Sequence, residues 1–146
     1  MAYHVALHGF LTQESIVVVE QDLDFTLGQK TEFQKAIDER PLSIIVAPYL
    51  LYPKSSGLLY PVWAHRVITE RAPLGRYSAK WIDTKDEFCD LFGLGFTYIP
   101  QWVWLLFGDR ALTYQRDLDT RFSEFCYDQE IRARVNWKTV IQHLHY

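Results

Sequence analysis

Cysteine is scarce in this chain: Cys89 and Cys126 are the only two among 146 residues. Two are too few for a disulfide framework. Each lies in a stretch that reads as an apolar helix face, where a free thiol packs as a small hydrophobe. A reducing compartment, the cytoplasm, is the expected setting. Metal-ligand spacing is missing as well. There is no CxxC, and the histidine pairs His4 with His8 and His143 with His145 do not supply the three or four converging ligands a zinc site needs. No metal and no cofactor is expected.

A basic block is also absent. Residues 1–70 hold five Lys/Arg against eight Asp/Glu, and residues 71–146 hold ten of each, for a formal net charge of −3. Nucleic-acid binding draws most of its affinity from phosphate contacts, so a chain without a basic field is not expected to bind nucleic acid. The opening residues MAYHVALHGF have neither the basic region nor the long apolar stretch of a secretory signal. Nucleophile motifs are missing too: there is no GxSxG elbow and no recognisable Cys–His pairing. A triad assembled in space leaves no trace in spacing, so enzyme activity stays open, but a non-enzyme is the stronger expectation.

Charge is missing most conspicuously from Leu91 to Gly108, LFGLGFTYIPQWVWLLFG. A membrane helix needs about 20 continuous apolar residues. Here Gly93, Gly95 and Pro100 break the run, and no membrane span is expected. Gly93-Leu94-Gly95 lacks the third glycine and the preceding strand of a dinucleotide fingerprint. What remains is a short helix opened by Pro100, with Trp102, Val103, Leu105, Leu106 and Phe107 around its whole circumference. Such a helix must be covered on all sides, or one of its faces is left to a partner. In the second case Trp104, near Gln101, is the expected exposed residue and Trp102 the buried one. The two point about 200° apart on a helix.

The chain is half hydrophobic, enough for one compact domain over residues 1–146 with a real core. Tyr3 to His8 alternates as a half-buried strand, and Ser15 to Glu20 is a β-branched run suited to a strand covered on both faces. A turn at 12–14 joins the two as a hairpin. Thr31 to Arg40 reads as a helix stopped by Pro41, and Leu42 to Ala47 as another buried strand. That strand–helix–strand order suits a parallel crossover pair. The two LLYP segments around Lys54–Gly57 read as a hairpin, with prolines at edge positions. Strands follow at 62–69 and 76–82.

After Ile82 the period turns helical. A capping box at Thr84–Glu87 opens a short helix to Gly93. An amphipathic helix runs from Asp109 through Ala111, Tyr114, Leu118, Phe122 and Phe125. A last helix carries Trp137, Val140, Ile141 and Leu144. The expected fold is α+β, with a mixed or antiparallel sheet in the N-terminal half and C-terminal helices packed on one face.

Two surfaces stand out for function. Glu20, Asp22 and Asp24 alternate, as a solvated strand edge or as an acidic stripe meeting a basic partner. Aromatics make up 16% of the chain. Tyr49, Tyr52, Tyr60 and Trp63 gather around the proline hairpin, as partial core or as contact area of the kind enriched at interface hot spots. With Trp104, these residues form the expected partner-binding set. The expected function is a small protein-binding module that inhibits, neutralises or adapts another protein, as immunity and counter-defence proteins do, and a homo-oligomer is left open. The alternative is a small-ligand binder or enzyme with an aromatic-lined pocket. It would gather Tyr60, Trp63, Trp81, Trp102 and Trp104 about His65 or a carboxylate.

Overall fold

In the computed structural model, the described residues are 15–20, 23–51, 60–61, 63–67, 78–81, 86–108 and 118–143. The β-branched run forms strand β1 (Ile16–Val19), followed by β2 (Leu23–Asp24), helix α1 (Leu27–Glu39) and β3 (Ile44–Val46). Helix α1 starts earlier than Thr31 because Thr26 and Gln29 form a capping box: the Thr26 hydroxyl accepts from the Gln29 N–H at 3.1 Å, and the Gln29 side chain accepts from the Thr26 N–H at 2.9 Å. The Gln29 amide also donates to the Val140 carbonyl at 2.7 Å, tying the helix start to the end of the chain. Before Pro41, the Arg40 N–H closes the helix on the Ala36 and Ile37 carbonyls.

Strand β10 (Phe96–Ile99) lies between β1 and β3 and is antiparallel to both. β1 and β3 therefore run in the same direction, but they are not the adjacent parallel pair that the crossover pattern suggests. All four residues of β10 are buried, and this strand fills the place between them. β3 pairs on its other side with β11 (Ala133–Val135) in parallel, and β11 pairs antiparallel with β8 (Phe88–Cys89). The result is a mixed five-stranded sheet in the order β1-β10-β3-β11-β8, and the fold is α+β.

Period-2 geometry sends the side chains of β3 both ways. Ile44 and Val46 join one core cluster, with Val18, Ala133 and Val135 from neighbouring strands; Ile45 joins the other, with Phe96 and Tyr98. Into the first cluster pack Val103, Trp104 and Phe107 of α2 (Gln101–Phe107) and Phe122, Phe125 and Cys126 of α3 (Leu118–Asp128). Phe33, Ala36 and Ile37 of α1 pack into the second. Helical residues thus meet the central strand from both sides, a layering the expected one-face arrangement did not include. It explains why Leu42–Ala47 is apolar at every position but one.

A second sheet runs β2-β12-β4-β5, using β4 (Tyr49–Leu51), β5 (Tyr60–Pro61) and β12 (Ile141–His143). The antiparallel β4–β5 pairing is that expected for the two LLYP segments, while the turn at Lys54–Gly57 lies outside the described residues. A third sheet, β7-β6-β9, contains β6 (Trp63–Val67), β7 (Ser78–Trp81) and β9 (Leu91–Phe92).

Three readings of the second half are corrected. Phe88–Cys89 and Leu91–Phe92 are strands, not a capped helix, because Cys89 pairs with Ala133 and Leu91 with Ala64. The last segment is a turn at Asn136–Thr139 followed by β12, not a helix; the Thr139 N–H bonds the Asn136 carbonyl, and β12 lies parallel to β4. Sheet strands also continue well past residue 82. In each case partners far away in the chain override a local helical period. The strand at Tyr3–His8, its hairpin turn, and the helix start at Asp109–Tyr114 lie outside the described residues. No helix among the described residues is long and apolar enough to cross a membrane.

Candidate functional site

Helix α2 is apolar on every side yet buried on only one. Pro100 at its N-cap has extended backbone, and Gly108 ends it with a positive φ of 55°. Val103, Trp104 and Phe107 face inward; the Trp104 and Phe107 rings lie 5.1 and 5.2 Å from the ring of Phe122. The outward face carries Trp102 at 38% exposure, Leu105 at 54% and Leu106 at 53%. The Trp102 indole N–H donates to the Leu42 carbonyl at 2.7 Å, and the Leu42 side chain is itself 72% exposed. The opening of the helix is held by the Ser15 hydroxyl, which accepts from the Gln101 N–H at 2.9 Å.

The expected roles of the two tryptophans are therefore reversed. Trp104 is 2% exposed and belongs to the core, while Trp102 faces out. Two stripes compete on this helix, Val103-Trp104-Phe107 and Trp102-Leu105-Leu106, and they are equally apolar. The inward stripe packs its rings on Phe122 and Phe125 of α3, within the first core cluster. The outward face is consequently Gln101, Trp102, Leu105 and Leu106, and Trp104 has no part in it.

Of the remaining expected contact residues, the described ones lie in different parts of the fold. Tyr49 is 3% exposed in the second core cluster, so it cannot meet a partner. Tyr52 lies outside the described residues; for Tyr60 and Trp63 the backbone is described, in β5 and β6. Glu20 follows β1 and is half-buried, its N–H bonded to the Gly95 carbonyl at 2.8 Å. Asp22 lies outside the described residues, and Asp24 is exposed in β2 of a different sheet. Glu20 thus follows a strand of one sheet, while Asp24 lies in a strand of another.

A second polar constellation was not visible in sequence beyond His65 itself. His65 of β6 lies between two carboxylates: its Nδ1 is 3.2 Å from Asp90 Oδ2, and its Nε2 is 3.2 Å from Asp86 Oδ2. Asp90 is the single residue linking β8 in the first sheet to β9 in the third. Its other oxygen lies 3.6 Å from Arg132 Nε. Arg132 and Arg134 stack on the Phe88 ring at 4.8 and 4.6 Å, and Arg134 pairs with Glu87. Helix α3 is anchored here too: the Ser123 hydroxyl accepts from the Phe92 N–H at 3.1 Å and lies 3.3 Å from the Asp90 carbonyl oxygen, to which it donates.

This arrangement braces the sheets. A neutral imidazole has one N–H and can donate to only one of the two carboxylates, whereas the doubly protonated ring donates to both. Either way both ring nitrogens face carboxylates, which leaves neither directed at a substrate. The two carboxylates also lie off opposite ring nitrogens, so an ion bound to one nitrogen is out of reach of the carboxylate at the other. Among the described residues, no group of three or more His, Cys, Asp or Glu is arranged to hold a metal ion.

Beside Asp90 and Arg132 is an open cleft of about 520 Å³, lined also by Tyr127, Asp128, Glu130 and Ile131. Its lining holds one aromatic residue. The expected aromatic pocket does not assemble from its described members: Trp104 is in the core, Trp102 faces outward, and His65 is held between Asp86 and Asp90. Comparison with protein-family models, with curated proteins and with solved structures gives no match.

Proposed function

We propose that this chain is a small protein-binding module that inhibits, neutralises or adapts a partner protein, and that the outward face of α2 is its principal contact surface. One observation carries the reading: Trp102, Leu105 and Leu106 are exposed apolar side chains on one face of α2, and the Trp102 indole is bonded to the backbone carbonyl of Leu42, whose side chain is exposed as well. Contiguous exposed apolar groups mark interaction surfaces far more often than scattered ones do. Because the indole N–H already has an acceptor within the chain, covering the ring strands no donor. The ring is also held in place, so docking has little side-chain freedom left to remove. No charged residue occurs between Leu91 and Gly108, which fits the depletion of charge at the centre of interfaces.

The acidic surplus of residues 1–70 fits a partner that surrounds an apolar contact with basic groups. The cytoplasm is the proposed setting, since both cysteines are free and buried.

The test is capture from the native host with two baits, the native chain and its Leu105→Asp/Leu106→Asp variant, read by mass spectrometry. Circular dichroism of the variant confirms that it is folded. The proposal predicts a stoichiometric partner on the native chain that the folded variant loses, with affinity reduced by about 2 kcal/mol or more, roughly 30-fold. Equal capture by both baits, or no stoichiometric partner on either, overturns it.

A further inference from the structure

We draw no further inference here: the strongest candidate, the open cleft at the C-terminal end of α3 lined by Asp90, Asp128 and Glu130, is an acidic cluster with no second observation that points to a ligand.

Discussion

Single side chains decide how closely the two core clusters fit. Gly95 lies against the ring of Tyr49, and a Cβ at this position would overlap that buried ring. Gly95→Ala must push Tyr49 out of the second cluster, and the expected cost is about 1–3 kcal/mol of stability, measured by chemical denaturation. Cys89 and Cys126 are both fully buried in the first cluster. Burial pushes both thiols well above the ordinary range, with the neighbouring Asp90 charge adding to the effect at Cys89. The folded state thus keeps these protons at a pH where the unfolded chain releases them. Their stabilisation is fully present below the unfolded thiol pKa, about 8.5, and is lost progressively as pH rises above it. Two measurements follow. Neither thiol should react with a disulfide reagent near neutral pH until denaturant is added. The alkaline fall in stability should be shallower in the Cys89→Ala/Cys126→Ala double variant than in the native chain.

At the scale of elements, a helix start shows how local chemistry and distant contacts combine. Thr26 caps α1, and its partner Gln29 also reaches the Val140 carbonyl. Thr26→Ala should cost about 1 kcal/mol, read as a shift in denaturation midpoint. The Thr26–Gln29 spacing is visible in the sequence as a threonine three residues before a glutamine. Thr84-Lys85-Asp86-Glu87 looks even more like a capping box, yet the chain just after it is extended. The difference lies outside both segments: Phe88–Cys89 pairs with β11, and Leu91–Phe92 pairs with β6. Of the strands that read correctly, β1 and β3 are β-branched runs whose composition alone disfavours helix, while β4 with β5, β6 and β7 lie in segments set off by turn residues. Of those that did not, β8, β9, β11 and β12 are two or three residues long, too short to display a period, and β10 lies in the uncharged run Leu91–Gly108, whose apolar residues show no clean alternation. The same limit applies to the charged constellation. His65, the segment Asp86 to Asp90, and Arg132 come from three well-separated parts of the chain, brought together where Asp90 joins two sheets.

For the molecule as a whole, one uncharged stretch is divided between two roles. Phe92 to Ile99 fills the interior of the sheet region, and α2 then lies across the first cluster with one apolar stripe inside and a second outside. Sequence identifies the stretch as unusual but cannot say which stripe is which, since that depends on the aromatic surface of α3. Chemical denaturation of Trp102→Ala beside Trp104→Ala tests this division most directly. Trp104→Ala should lose about 3–5 kcal/mol, the cost of emptying a buried aromatic site. Trp102→Ala should lose about 1 kcal/mol, mainly its hydrogen bond to the Leu42 carbonyl. A loss at Trp102 as large as that at Trp104 would contradict the account, because the outward face of α2 would then be part of the core and not a surface kept for a partner.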